Sequence, residues 1–383
     1  MWGYLAKRTV QMILTLFLFQ ALTYAIIDAQ PGDIADLLTL DPNIPPNERE
    51  RLRRELGLDR PPAERFITYI GNFYRGDLGV SFAEYPKPVI DIIRERLPRT
   101  LVLFVSASIV SFVAGFFTGR ILAWKRGGVV EYGSTIMGVI LYTMFLPFFA
   151  LMMIWLFAVT LDWLPTGKFL NPLLWLETEV AANDVFMALI LTALIVGTVA
   201  AIGFVVSNHV ERRYRSWIRV ASVVTPLIAS LIYWSTSGIG FLAWDIFSHL
   251  ILPVMVLTLY TYGGTMLLMR TSMLETMRED FILTAKAKGL PDKVVRDRHA
   301  ARTALLPVWT GLVFAIGGAL AGGIITETIF SWPGLGRTLL NSALVADIPV
   351  AMGVLTVIGV MTLLSHLVAD VGYAFLDPRI RYS

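Results

Sequence analysis

Long apolar runs alternate with short polar breaks along most of the chain. Runs of about 20 apolar residues are long enough for an α-helix to cross the hydrocarbon core of a bilayer. Eight such runs occur before residue 377. A helix satisfies its own backbone hydrogen bonds in lipid, so the pattern predicts an all-α, polytopic transmembrane helical bundle with about eight spans.

The polar breaks alternate between basic and nearly uncharged. Basic clusters occur around Lys7, Lys125 and Arg212, in the break at 270–302 and around Arg379. Lys and Arg collect in short cytoplasmic loops, and the breaks between these clusters carry few of them. The pattern therefore predicts that both termini and the 270–302 break lie in the cytoplasm.

The segment 29–98 also carries many arginines, but its length exceeds the range over which this rule holds. We place it on the opposite side of the membrane as a small extracytoplasmic domain. Its Pro and Gly punctuation fits either a folded cap with a docking surface or a solvated loop, and both interpretations stay open. A charged helix ending at Gly57 is predicted within it.

Composition agrees with a membrane protein and excludes several chemistries. The chain is 56% hydrophobic and only 16% charged, whereas soluble proteins carry about 25% charged residues. None of its 383 residues is cysteine, which excludes disulfides, thiolate catalysis and Cys metal sites. The first apolar run is long for a signal peptide and lacks an A-x-A-like site, so we interpret it as a retained span.

The 270–302 break is longer than a connection between helices requires, which is typically about 2–8 residues. A helix-competent stretch within it ends at Gly289, and Pro291 follows as a helix stop. Phe281, Ile282 and Ala285 form an apolar ridge, and basic residues surround it. The break is therefore predicted to present a short amphipathic helix to the cytoplasm.

Two runs in this break carry a specific resemblance. The run TAKAKGL at 284–290 is followed by RHAARTALLP at 298–307. Their order resembles the EAA loop of permeases from binding-protein-dependent ABC importers, in particular the B-type inner-membrane subunit of the dipeptide, oligopeptide and nickel branch. Leu283 and Thr284 depart from the general EAA pattern, and Thr303 stands where that branch often has Asn.

Further runs resemble the same branch, in the same order along the chain. They are Gly32 with Asp33, LGLD at 56–59, GDLGVS at 76–81, RLP at 96–98, ETIFSWPGLG at 327–336, Asp347, and DPR at 377–379. Each run alone is moderate support, and their shared order strengthens the identification.

The resemblance implies the type I ABC importer permease fold and a division of the chain. Residues 1–28 would form an N-terminal transmembrane helix and 29–98 the extracytoplasmic cap. Residues 99–170 and 241–376 would form the core permease, with a cytoplasmic coupling loop at 270–302. Members of this branch usually have six spans, so 171–240 is expected to be an inserted transmembrane hairpin that packs at the periphery.

The resemblance also implies two sets of functional residues. The short helix would insert into a groove on a cytoplasmic ATPase and make the contact through Asp280, Ala285, Lys286 and Gly289. Arg298, His299 and Arg302 would brace it. The expected ATPase-coupling residues are Asp280, Thr284, Ala285, Lys286, Lys288, Gly289, Leu290, Arg298, His299, Arg302 and Pro307. An extracytoplasmic gate or docking surface is expected at Glu327, Phe330, Pro333, Gly334, Gly336 and Asp347.

The partners implied are a second, C-type permease subunit, two cytoplasmic ABC ATPases, an extracytoplasmic substrate-binding protein and the lipid bilayer. The chain has no G-x-x-x-x-G-K-[ST] run, so we expect ATP and Mg to bind the partner ATPases and no cofactor, catalytic residue or metal on this chain. A prokaryotic plasma membrane is the expected location, and no nucleic-acid partner is implied.

The cargo stays open between dipeptides, oligopeptides, nickel chelates and oligosaccharides. A secondary carrier is an alternative of another class, and it would show broken spans in two related halves, which the sequence does not. An intramembrane hydrolase would need a nucleophile elbow, which His249 and His366 lack. A scaffold subunit without transport activity is a third alternative.

Overall fold

In the computed structural model, which describes residues 2–28 and 60–376, the regular elements are helices. They are α1 (Trp2–Asp28), α2 (Pro62–Phe73), α3 (Val89–Trp124), α4 (Val129–Thr143), α5 (Leu146–Ile154, extended by a π-helical turn Trp155–Thr160), α6 (Pro172–Trp175), α7 (Ala182–Ser207), α8 (Arg212–Thr236), α9 (Gly240–Thr276), α10 (Asp280–Ala287), α11 (Asp292–Val294, extended by a π-helical turn Val295–Ala300), α12 (Ala301–Gly322), α13 (Ile324–Ile329), α14 (Leu335–Leu344) and α15 (Ile348–Leu376). Two compact units result, one of residues 1–150 with 254–383 and the other of residues 151–253.

The number of spans predicted from the sequence is confirmed. Seven described helices are long and apolar enough to cross a membrane, and the sharply bent pair α4 and α5 makes eight if the pair is one span. The all-α, polytopic class is confirmed with it. The motif residues Gly32 and Asp33, the run 56–59 with its predicted helix, and the run 377–379 lie outside the described residues.

Helix α15 is central to the first unit. It packs against α1, α3, α12 and α14. Val350, Val354 and Ile358 on α15 share a buried apolar cluster with residues of α3 and with Leu78. This cluster joins the GDLGVS run at 76–81 to the C-terminal half of the chain.

The segment predicted as a cap differs from that prediction where it is described. Helix α2 packs on the transmembrane helices, because the Phe66 ring lies 5.2 Å from that of Tyr24 on α1 and the Tyr69 hydroxyl lies 3.1 Å from Thr356 Oγ1 on α15. Helix α3 already begins at Val89, so the last residues of the predicted 29–98 domain belong to a long helix. A separate small domain is not confirmed.

In the second unit, α7 and α8 pack against each other as a hairpin. Arginines of α8 bind the end of α7: Arg215 Nε donates to Ser207 O at 3.0 Å and Arg219 Nη2 donates to Asn208 Oδ1 at 3.0 Å. Arg215 thus satisfies a backbone carbonyl that the last turn of α7 leaves unpaired, and both cations favour the negative end of the helix dipole. The basic cluster from which the sequence predicts a cytoplasmic turn therefore also closes the hairpin.

Most apolar side chains of α7 and α8 are exposed in the described chain, including Leu191, Leu194 and Leu231. Apolar surface of that extent is costly in water and typical of helices that contact lipid or another membrane subunit. The peripheral placement of the inserted hairpin stays a prediction.

Candidate functional site

The short helix expected in the 270–302 break is present as α10. Asp280 lies in its first turn, where an acidic side chain favours the helix dipole. The helix ends because Gly289 adopts φ +74°, a conformation that only glycine enters at little cost. Gly289 N donates to Lys286 O at 2.9 Å and Leu290 N to Ala285 O at 3.4 Å. The predicted helix stop is confirmed.

One face of α10 is buried within its own chain. Ile282 and Ala285 are only 1% and 6% exposed. They belong to an apolar cluster with Met269 and Met273 of α9 and with Val308 of α12. The Ala285 side chain thus faces inward and packs α10 onto the spans, and its expected contact with a partner stays a prediction.

The opposite face of α10 is exposed and carries the surface we call the coupling face: Asp280, Phe281, Leu283, Thr284, Lys286 and Lys288. Leu283 is 74% exposed and Phe281 is 41% exposed. Exposed apolar side chains of this size in a polar segment indicate an interaction surface. The Lys286 ammonium lies 5.5 Å from the Trp124 ring centroid, an attraction that holds this cation at the end of α3.

The segment after α10 is fixed by an acidic residue that sequence reasoning missed. Asp297 Oδ1 lies 2.6 Å from Arg296 Nε and 3.4 Å from Arg120 Nη1. Arg120 in turn stacks on the rings of Phe116 and Phe117 on α3. Asp297 ties the π-helical turn to α3, and the signal for this role was its position as a lone acid among Lys293, Arg296, Arg298 and Arg302.

The residues predicted to brace α10 lie outside the ion pair made by Asp297. Arg298 and Arg302 are exposed, His299 is half-buried, and Pro307 is exposed within α12. In the described part of the chain, the ion pair that joins this turn to α3 is made by Asp297. Arg298, His299 and Arg302 are thus available to partners, and their bracing role stays a prediction.

The predicted 270–302 loop is shorter than expected because α9 continues to Thr276. Its last turns are held by packing of Met269 and Met273 and by an ion pair between Arg270 and Glu131 in the first turn of α4. Glu131 Oε2 also accepts from Gly127 N at 3.2 Å. This ion pair joins the turn between α3 and α4 to α9 just before the coupling face.

A second cluster surrounds the ETIFSWPGLG run at 327–336. Glu327 is fully buried. Its carboxylate accepts from Thr100 Oγ1 at 2.7 Å and from Arg337 N at 2.8 Å. Thr100 Oγ1 also accepts from Leu335 N at 2.8 Å. These bonds join α3, α13 and the start of α14.

Helix α13 lies outside the candidate membrane spans. Burial raises the pKa of Glu327 to about 7, against the opposing effect of hydrogen bonds from Arg337 N, Thr100 and Gly336 N. The carboxyl group is therefore expected to hold a proton through mildly acidic conditions.

Replacing Glu327 with Gln should flatten the pH dependence of stability. The folded chain binds the Glu327 proton more tightly than the unfolded chain, so its contribution is full below the ordinary pKa of 4.5 and is lost as the pH rises to about 7. The loss amounts to roughly 3 kcal/mol. Thermal midpoints of the purified chain, measured across this range, should fall in the wild type and stay level in Glu327→Gln.

The matched control is Glu64→Gln, since Glu64 is exposed on α2. This variant should keep the wild-type slope. An unchanged slope in Glu327→Gln would contradict the assignment.

The glycines of this run allow close approach of the backbone. A Cβ atom on Gly336 would lie 2.5 Å from Ile324 N and 2.8 Å from the carbonyl carbon of Gly323, and one on Gly334 would lie 2.5 Å from Thr100 Oγ1. Trp332 is fully buried and its Nε1 donates to Arg99 O at 3.2 Å. The run is therefore a tightly packed turn.

Asp347 joins the GDLGVS run to the start of α15. It is 2% exposed, and its carboxylate accepts from the Ser81 hydroxyl, from Phe82 N at 3.1 Å and from Ala83 N at 3.1 Å. It also accepts from Val350 N at 3.4 Å, as the residue before a helix does. Sequence reasoning singled out Asp347 but did not find its partners.

The residues expected at a gate or docking surface are mostly inside the chain. Glu327, Phe330, Gly334, Gly336 and Asp347 are buried, and Pro333 is half-buried. These residues therefore form a buried turn beneath the neighbouring surface, and their role in a gate or docking surface stays a prediction.

Comparison with known proteins defines the class. The model described as "Binding-protein-dependent transport system inner membrane component" matches residues 193–382. The model for the N-terminal part of such membrane components matches residues 1–104. The chain belongs to the family of inner membrane components of binding-protein-dependent transport systems. It is a multi-pass membrane protein with a role in transport.

Individual relatives match nearly end to end. The di/tripeptide transport system permease protein DppB of Pseudomonas aeruginosa is 31% identical over 382 residues, which cover 100% of this chain and 99% of the relative. The dipeptide transport system permease protein DppB of Escherichia coli K12 is 31% identical over 382 residues, with 99% and 98% covered. The oligopeptide transport system permease protein AppB of Bacillus subtilis is 29% identical over 380 residues, with 99% of each covered.

Proposed function

We propose that this chain is the permease subunit of an ATP-binding cassette importer that moves peptides into the cytoplasm. Its relatives carry the names of dipeptide and oligopeptide permeases, which supports peptides over nickel chelates or oligosaccharides. The observation that carries the coupling mechanism is α10, a short helix with one face in the core and the other exposed.

The inward and outward faces of α10 have different roles. The inward residues Ile282 and Ala285 fix the helix to α9 and α12. The outward residues Phe281 and Leu283 offer apolar surface to a partner. A partner that grips the coupling face therefore moves the ends of the spans, since a packed core transmits displacement.

The proposed partners are two ABC ATPases at the coupling face, a second homologous permease subunit and an extracytoplasmic binding protein that delivers the peptide. ATP and Mg bind the ATPases, and this chain performs no catalysis. Both termini and α10 lie in the cytoplasm, as the basic breaks predict. The buried turn at 327–336 supports the extracytoplasmic surface on which the binding protein docks.

Leu283→Glu should uncouple the transporter. The substitution places a charge in the centre of the coupling face, and loss of a central interface anchor costs about 2 kcal/mol or more. Peptide uptake and peptide-stimulated ATP hydrolysis by the reconstituted complex should each fall by about 30-fold or more. The subunit should still fold, because the Leu283 side chain is 74% exposed.

Leu176→Glu is the matched control, since this leucine is 76% exposed in the second unit. It should retain both activities. If Leu283→Glu kept wild-type uptake while assembled with its ATPases, the coupling face would be wrongly placed. If the complex were coupled but its ATP hydrolysis did not respond to peptides, the proposal that the cargo is a peptide would be refuted instead.

A further inference from the structure

A cleft in the second unit has no part in the proposed coupling. It has a volume of about 380 Å³ and lies between the loop before α6 and the first turns of α9. Small-molecule sites commonly have volumes of about 300–1,000 Å³. The lining residues that carry the argument are Thr166, Lys168 and Asn171 on the loop and Asp245 and His249 on α9.

The inner end of the cleft is formed by two buried side chains. Asp245 and His249 are each 7% exposed, and their spacing of four residues places them on one face of α9. Asp245 Oδ2 accepts from Asn171 N at 3.0 Å and from Trp175 Nε1 at 2.9 Å. These bonds hold the loop over the helix.

Asp245 Oδ1, the second carboxylate oxygen, can accept a hydrogen bond from a further donor. Within the described residues, Oδ1 has the His249 ring at 3.5 Å and accepts no hydrogen bond. A buried carboxylate is stabilised by donors, and an ionised one can accept about four hydrogen bonds. Asp245 therefore has capacity for a ligand that donates.

His249 presents a second acceptor. Its Nδ1 lies 2.7 Å from Asp245 O, and a carbonyl oxygen only accepts, so this contact assigns the ring proton to Nδ1. In the neutral ring, Nε2 then carries a lone pair. The inner end of the cleft thus offers a carboxylate oxygen and an imidazole nitrogen.

The rim carries the opposite charge. Lys168 is exposed and adopts φ +74°, a strained backbone conformation for a residue other than glycine. Such strain is typical of ligand sites, where surrounding structure maintains it. The loop therefore holds a cation at the mouth of a cleft whose inner end accepts hydrogen bonds.

We propose that this cleft binds a small zwitterion, such as an amino acid or short peptide, with its ammonium group at Asp245 and His249 and its carboxylate at Lys168. An ammonium group has three donors and a positive charge, which match the inner end. A metal is disfavoured, because the described residues contain no group of three or more His, Cys, Asp or Glu that could hold one. The proposal does not rest on the proposed importer function.

The absence of cysteine from the sequence allows a direct test. A single Thr166→Cys variant of the full-length chain in lipid nanodiscs is labelled with a maleimide, with and without dialanine. Dialanine should slow labelling several-fold. Leu176→Cys, directly after α6 and outside the lining, should label at an unchanged rate.

Analogues and a second substitution identify the contacts. N-acetyl-dialanine, which lacks the ammonium group, should not protect Thr166→Cys, and dialanine amide should protect weakly. Asp245→Asn in the Thr166→Cys background should abolish protection, while an unchanged labelling rate at Leu176→Cys with Asp245→Asn shows that the loop is intact. Equal protection by N-acetyl-dialanine, protection by Zn²⁺ alone, or no effect of dialanine up to its solubility limit would each overturn the proposal.

Discussion

Gly336→Ala is expected to prevent accumulation of the folded chain. The added methyl group would lie 2.5 Å from Ile324 N and 2.8 Å from the Gly323 carbonyl carbon. Both neighbours are backbone atoms of the α12–α13 junction, so relief requires a shift of a helix end rather than a rotamer change. Overpacking of this kind costs about 1–3 kcal/mol or more, and here it acts on the turn that carries Glu327.

The measurement is the yield of monodisperse protein in detergent together with its thermal midpoint. Gly197→Ala is the control, because a Cβ atom there would meet nothing within 4 Å and alanine favours the interior of α7 by about 1 kcal/mol. Its yield should equal or exceed that of the wild type. Equal midpoints for Gly336→Ala and the wild type would show that the turn is not tightly packed.

Asp347→Ala should destabilise the first unit by about 3 kcal/mol, since hydrogen bonds to a charged group are each worth about 1.5–3 kcal/mol and their donors are left unpaired. The buried carboxylate accepts from Ser81, Phe82 N, Ala83 N and Val350 N. Its loss releases the 81–83 segment from the start of α15. Thermal unfolding followed by helical circular dichroism should show a clearly lowered midpoint.

Asp91→Ala provides the comparison, because Asp91 is exposed and its partner Arg94 is 74% exposed. A surface ion pair of this kind contributes at most about 1 kcal/mol. Asp347→Asn should fall between the two, since its amide keeps one acceptor oxygen. Were Asp347→Ala as stable as Asp91→Ala, the carboxylate would not hold these segments together.

Features encoded by neighbouring residues could be predicted from the sequence. The eight apolar runs gave the spans because each run closes its own backbone hydrogen bonds. The end of α10 followed from Gly289 with Pro291 two residues later, and both signals act within one turn. The basic residues of α8 were correctly placed at the turn of the hairpin.

The orientation of α10 could not be predicted, because Phe281, Ile282 and Leu283 are consecutive apolar residues on a helix of 8 residues. That pattern defines no unique face, and the choice of Ile282 depends on Met269 and Met273 of α9. The inward position of Ala285 could not be predicted for the same reason.

Buried polar pairs were also beyond the sequence. Ser81 and Asp347 are 266 residues apart, and Thr100 and Glu327 are 227 apart. No local pattern specifies such pairs, since many serines and threonines could serve each carboxylate. The motifs could therefore be recognised from the sequence, whereas their buried partners could not.

The packing of α10 sets how stiffly the neighbouring ends of the spans respond to force. Ile282 is wedged among Met269, Met273 and Val308 with 1% of its surface exposed. If α10 were loosely attached to the spans, a force on it would only bend the chain locally. Because α10 is packed this closely, a force that a partner applied to it would be transmitted to the spans as tilt.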